Sequence, residues 1–312
     1  MKLLRIYAGF LIVCLFLQSS LYAKPPTPQY LYVNECYRVG MFAEYSFVVG
    51  LLHEYDMNPE KYTGFEVDFK KTGFYYDPQY GSNWWNYFCE PLCIGNRSGS
   101  VVREFKVKDY RVDFAHALVT IIKLSRERVF EIIQKYIKIR PSILDKVDAF
   151  VHANFTDSHM IAVHYRGTDK KKEVPRVPYE DIAANVNQYI IEHNWTDYKI
   201  FVASDEQPFV QYMETAFPGL VVTYEVDRSS DGVPLHEKKL LNQYCCGESA
   251  LIDCLLLSRA DVLIRTESNL SLWSTYFNPA IPEVLIHKAR AVTKPSIGNP
   301  PRNKEKKKHK NK

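Results

Sequence analysis

The 312-residue chain has no G-x-G-x-x-G run, so the fingerprint of a dinucleotide-binding turn is missing. It has no P-loop pattern either, which disfavours nucleotide hydrolysis by that route. A G-x-S-x-G elbow is absent, and with it the signature of an α/β-hydrolase serine. No Asp-x-Asp triplet occurs, the usual carboxylate clamp for a metal-bound diphosphate. A diphosphate bound here would have to be neutralised by side-chain cations and helix ends. No internal repeat or long low-complexity segment precedes the C-terminal tail.

The charge, divided by segment, excludes another class. The formal net charge is +4. Arg302 to Lys312 holds seven Lys/Arg and one Glu, hence +6, and Lys2 and Arg5 add +2. The body between them therefore carries 4 − 6 − 2 = −4, which gives no electrostatic footprint for nucleic acid. The basic tail reads as a solvated end, with attachment to an anionic surface or retention as alternatives.

The start of the chain has the layout of a secretory leader. Lys2 and Arg5 precede an apolar run from Ile6 to Leu17, and Ser19-Ser20-Leu21-Tyr22-Ala23 gives a small-residue ending. The run is slightly short for a membrane span of roughly 20 residues. Cleavage after residue 23 is expected, with an uncleaved type II anchor and membrane association through 6–23 as the alternative. Six cysteines then remain: Cys36, Cys89, Cys93, Cys245, Cys246 and Cys254. In an exported chain this even number is consistent with disulfides. A Cys89–Cys93 disulfide would close a local loop around Glu90-Pro91-Leu92, whereas Cys254, in Leu251-Ile252-Asp253-Cys254-Leu255-Leu256-Leu257, reads as a small buried hydrophobe. Finger-like zinc spacing is lacking, and no metal ligand set is assigned.

Residues 24 to about 120 are rich in Tyr, Phe and Trp and show no clean periodicity. From Ser125 the pattern sharpens: Val129, Ile132, Ile133, Tyr136 and Ile137 form a helical stripe that Pro141 closes. The second half then alternates. Strands are expected at 161–163, 199–203, 220–224, 262–264 and 284–286. Helices are expected after Pro178, over 208–217, over 248–260 and over 270–277. Such alternation implies βαβ units and a parallel sheet covered on both faces. The fold class is α/β and the architecture Rossmann-like.

Polar residues gather at the strand ends of this half, where open α/β sheets bind ligands. The apolar run Ile161-Ala162-Val163 ends in His164-Tyr165-Arg166-Gly167-Thr168-Asp169-Lys170. Arg166 and Lys170 suit an anionic ligand, and an arginine fork grips phosphate with two hydrogen bonds. A salt-bridge cluster at a strand exit is the bland alternative. Ser204-Asp205-Glu206 ends the next strand. Thr266-Glu267-Ser268-Asn269 opens a helix, which makes either a phosphate seat or an ordinary N-cap. Asp253 lies in an otherwise apolar helical run, so its carboxylate must find partners or raise its pKa. It serves either a neighbouring loop or the donor groups of a ligand.

His164 to Lys170, Phe201-Val202-Ala203-Ser204-Asp205, Leu251-Ile252-Asp253, Ser258 to Ile264 and Thr266 to Asn269 occur together in a recognisable order and spacing. In these blocks the chain resembles the α-1,6-fucosyltransferases, including the nodulation type, and more distantly the protein O-fucosyltransferases. The resemblance covers roughly residues 156–280. It implies a GT-B architecture of two Rossmann-like domains, here 24–155 on the acceptor side and 156–295 on the nucleotide-sugar side, followed by the basic tail 296–312. It implies inverting, metal-independent transfer of fucose from GDP-fucose to a glycan, glycolipid or glycoprotein, with no cofactor. Arg166 matches the arginine on the donor diphosphate. His164 and Asp253 match donor-contacting positions, Asp253 through the guanine edge. Ser268 and Asn269 fall on the phosphate-proximal turn, while Asp205, Asp169 and Lys170 complete the donor motifs.

Two positions depart from the family pattern. Glu173, the expected catalytic base, lies about one residue closer to the Asp-Lys pair than the pattern has it. Gly167 stands where a second arginine is frequent. Use of another GDP-sugar, or GDP-sugar or glycan binding without turnover, are the alternatives. Nucleotide sugars are supplied in the cytoplasm or, through transporters, in the Golgi and ER lumen. An active enzyme with a functional leader therefore belongs in a secretory lumen. Asn96, Asn154, Asn194 and Asn269 head possible N-glycosylation sequons.

Overall fold

The computed structural model describes residues 27–34, 39–70, 73–105, 117, 119–155, 158–168, 176–233 and 242–287. The expected leader, Cys36, the basic tail and three proposed site residues, Asp169, Lys170 and Glu173, lie outside the described residues.

The first half builds a four-stranded sheet from β1 (Gln29–Val33), β2 (Tyr62–Val67), β3 (Cys93–Gly95) and β4 (Val101–Glu104) in the order β3-β2-β1-β4. β1 runs parallel to β2 and β4, and β3 is antiparallel to β2. Helix α1 (Met41–Met57) connects β1 to β2 and is buried continuously from Met41 to Leu52. The short helix α2 (Trp85–Phe88) places Trp85 and Phe88 in the same core. The aromatic residues of this half thus fill a core around parallel strands.

Helix α3 (Arg126–Tyr136) follows the expected stripe, with Val129, Ile132 and Ile133 buried and Ser125 as its N-cap. Pro141 does more than end that stripe. It opens α4 (Pro141–Asn154) from the first helical position, where its missing N–H costs nothing.

The second sheet is wholly parallel in the order β7-β6-β5-β8-β9. Its strands are β5 (His159–Tyr165), β6 (Tyr198–Ser204), β7 (Val221–Val222), β8 (Val262–Arg265) and β9 (Glu283–Leu285). The helices between them are α5 (Tyr179–Glu192), α6 (Gln207–Ala216), α7 (Gln243–Leu257) and α8 (Asn269–Phe277). Ile161, Val163 and Tyr165 face one apolar layer with Ile182, Val186, Phe209 and Met213. Met160 and Ala162 face the other, with Leu251, Ile252, Leu256 and Trp273. Strand alternation over two covered faces is what the sequence pattern predicts. Two elements differ. α7 begins at Gln243 because Asn242 caps the Cys245 N–H, and β7 is only two residues long.

The second apolar layer continues into the first half. Trp273 donates from Nε1 to Ser46 Oγ at 2.8 Å and rests against Phe42 and Tyr45. Tyr80 stacks on Tyr244 with centroids 3.9 Å apart. Arg126 of α3 and Arg265 of β8 both hold Glu283 of β9.

The described cysteines are free thiols. Cys89 is buried with Tyr45 OH at 3.4 Å, while Cys93 is exposed on β3 beside Tyr30. The loop between Cys89 and Cys93 is therefore not closed by a bond. Cys254 is buried, as its apolar run predicts. Among the described residues no helix is long and apolar enough to cross a membrane.

Candidate active site

The strand order of the second sheet reverses between β5 and β8, which opens a crevice at their C-terminal ends. The chain closes its floor through main-chain and threonine contacts. Arg166 N donates to Thr266 Oγ1 at 3.0 Å, and Thr266 N donates to His164 O at 3.1 Å.

Arg166 leaves β5 at this edge with its side chain 30% exposed. Its Nε lies 3.3 Å from Asp205 Oδ2. Asp205 also accepts from Gly167 N at 3.1 Å and from the Thr168 hydroxyl. One carboxylate at the end of β6 therefore fixes three consecutive residues of the β5 exit. The guanidinium is orientated by an acidic partner yet remains accessible to an anion.

His164 is 3% exposed, and burial pulls its imidazole down to about 3, with the Arg166 and Arg265 charges acting in the same direction. It is a neutral hydrogen-bonding group at physiological pH, not a cation. Ser268 caps α8 by accepting from Leu270 N at 3.2 Å, so the N-cap role is realised. Asn269 is the exposed first residue of that helix. The positive end of α8 thus points into the same crevice as Arg166.

Asp253 sits on α7, which lies against β5 and β6. It is 7% exposed, and burial raises its carboxyl to about 7 against the opposing pull of Arg228. Residues 164, 166, 205, 253, 268 and 269 are thereby distributed around the C-terminal ends of β5, β6 and β8. Among the described residues no group of three or more His, Cys, Asp or Glu side chains could hold a metal ion.

In the first half, the Tyr75 hydroxyl accepts from Met41 N at 3.1 Å and lies within electrostatic range of Arg166. Sequence reading named Thr266 only as part of the Thr266-to-Asn269 turn, not for its hold on the Arg166 main chain. It gave no signal for Tyr75, which lies in an irregular segment with no periodic neighbour.

A family model described as Nodulation protein Z (NodZ) matches residues 118–295, more than half of the chain. The chain belongs to this family. Its fold is shared by solved fucosyltransferases of low sequence identity. NodZ α-1,6-fucosyltransferase co-crystallised with GDP aligns with a TM-score of 0.50 and 17% identity, over 82% of this chain and 93% of that one. Fucosyltransferase NodZ from Bradyrhizobium gives 0.50 and 17%, over 82% and 94%. A mutant of Arabidopsis thaliana FUT1 in complex with GDP gives 0.51 and 9%, over 86% and 73%. No curated protein matches the chain in sequence. Family and architecture make it a fucosyltransferase-like glycosyltransferase of GT-B type.

Proposed function

We propose that the protein transfers fucose from GDP-fucose to the hydroxyl of a glycan, glycolipid or glycoprotein, with inversion and without a metal. The observation that carries this reading is Arg166, whose side chain is orientated by Asp205 at the β5 exit and whose main-chain N–H is held by Thr266, two residues before the Ser268 cap of α8. That arrangement suits a diphosphate leaving group. Its charge grows as the bond from the sugar C1 to the phosphate oxygen breaks, and a guanidinium plus helix N–H groups stabilise it most at that moment.

The acceptor oxygen forms the new bond to C1 from the opposite face, and its proton passes to a carboxylate. Glu173 is assigned that role, with Lys170 as a second cation and Asp169 completing the motif. Glu173 belongs to a segment whose described ends are tied to β6, at Thr168 by Asp205 and at Arg176 by Glu206. The leader and the need for a transported nucleotide sugar favour a secretory lumen as the site of action.

The test is a donor panel. Purified protein should release GDP from GDP-fucose but not from GDP-mannose or release UDP from UDP-sugars, and a chelator should leave the rate unchanged. Glu173→Gln should keep GDP affinity and lose transfer. Tight GDP-sugar binding without release would favour a non-catalytic module instead.

A further inference from the structure

Three polar side-chain atoms in the second half are buried without a hydrogen-bond partner among the described residues: His164 Nδ1, Asp253 Oδ1 and Arg228 Nε. His164 and Asp253 belong to the donor motifs. Arg228 belongs to no motif, and the family resemblance assigns it nothing.

Its place in the fold is well defined. Arg228 lies in the segment that follows β7, with its guanidinium folded back on that segment. Nη2 donates to Tyr224 O at 2.8 Å and Nη1 to Val226 O at 3.4 Å. The next residue sews the segment to the end of β6, because Ser229 N donates to Asp205 O at 2.8 Å and Ser229 O accepts from Gln207 N at 2.9 Å. Asp205 is the residue that holds Arg166. Arg228 therefore stands at the same strand-end crevice, on its β6–β7 side. Asp253 approaches from α7, and the two charges act on each other.

For a nucleotide whose diphosphate is held at Arg166, these two groups on the β6–β7 side of the crevice are available to its base. A carboxylate offers acceptors and a guanidinium offers donors. Guanine has the matching pattern: N1–H and N2–H₂ donate, while O6 and N7 accept. Adenine would set its N1 lone pair against the carboxylate, and a pyrimidine has no N7.

We propose that Arg228 is a base-specificity residue, donating to guanine O6 and N7 while Asp253 accepts from N1–H and N2–H₂. This rests on the donor reading above and extends it to how the base is chosen. The unpartnered Arg228 Nε and Asp253 Oδ1 are the atoms awaiting that ligand, and an arginine that reads a purine this way discriminates strongly because a missing acceptor leaves a buried donor unpaired.

Calorimetric titration of the full chain with GDP, inosine diphosphate, ADP and UDP tests the proposal. Wild type should prefer GDP. Arg228→Gln should weaken GDP by roughly 10- to 100-fold and leave ADP and UDP unchanged, and Arg228→Lys should recover part of the loss. Asp253→Asn should narrow the preference for GDP over inosine diphosphate, which lacks the 2-amino group. Equal weakening of GDP and UDP by Arg228→Gln, or unchanged GDP binding, would overturn the assignment while leaving the donor reading intact. Wild type that binds no GDP overturns both. Should Arg228→Gln lower the melting temperature so far that binding is unmeasurable, wild type with 7-deaza-GDP decides the matter. Weaker binding than GDP supports the N7 contact, and equal binding refutes it.

Discussion

Gly167 and Glu206 compete for one space: a β-carbon on residue 167 would overlap the Glu206 carboxyl group. That carboxyl is 3% exposed and held by Arg176 Nη2 at 2.7 Å and Tyr179 OH at 2.8 Å. A side chain at position 167 therefore requires the Glu206 carboxyl to give up this place. Arg176 brings a guanidinium to the neighbourhood that the missing side chain vacates.

Gly167→Ala should lower stability by about 1–3 kcal/mol, because a fixed, buried carboxyl has to move. Gly167→Arg should cost more. Urea unfolding midpoints measure this, and an unchanged midpoint for Gly167→Ala would show that Glu206 yields freely.

If Asp253 contacts the donor as proposed, donor binding should depend on pH. Its carboxyl is raised from 3.8 to about 7 by burial, with Arg228 opposing and Tyr224 and Cys254 feeling its charge. The unbound protein holds a proton there that the unfolded chain releases above 3.8. Its contribution to stability is therefore greatest at low pH and is lost as pH rises toward 7. The proposed guanine contact requires the ionised form. Affinity for GDP-fucose, whose phosphates do not titrate in this range, should be flat above pH 7 and fall about tenfold per unit below it. Asp253→Asn should bind weakly with no such slope, and a parallel slope in that variant would place the titration elsewhere.

Asp56 supplies acid sensitivity of the opposite sign. It joins α1 to α3 through Lys135 Nζ, Tyr136 OH and Arg128 Nη2, each at 2.5 Å. The Lys135 contact leads in holding its carboxyl well below the usual range, with Tyr136 and Arg128 acting alike and burial opposing. A depressed value stabilises the fold above the unfolded pKa and is lost as pH falls below it. Asp56→Asn should cost about 1–2 kcal/mol at pH 7, discounted for its exposed partners. The cost should shrink below pH 4, as urea titrations at both pH values would show.

The sequence was legible where burial imposed a period. β5, β6 and β8 read as apolar runs because both faces of the sheet are covered, and Arg166 stood out as the charge that ends such a run. α1 was illegible because its apolar residues surround the helix from Met41 to Leu52, leaving no polar face to mark a 3.6-residue period. The start of α7 was missed because Tyr244, Cys245 and Cys246 carry no clear pattern, and only the Asn242 cap fixes it. Arg228 was invisible as a site residue. Its proposed role depends on Ser229 joining the end of β6, a contact made after folding.

The most direct measurement of the central claim is the rate of GDP release from GDP-fucose by wild type, Arg166→Ala and Arg166→Lys, each checked for an unchanged melting temperature. Loss of one preorganised charge at a leaving group costs on the order of 10²–10³ in kcat, so Arg166→Ala should fall by that factor. Arg166→Lys should recover little, since a point charge does not reproduce the fork. A folded Arg166→Ala protein that releases GDP at the wild-type rate would contradict the account.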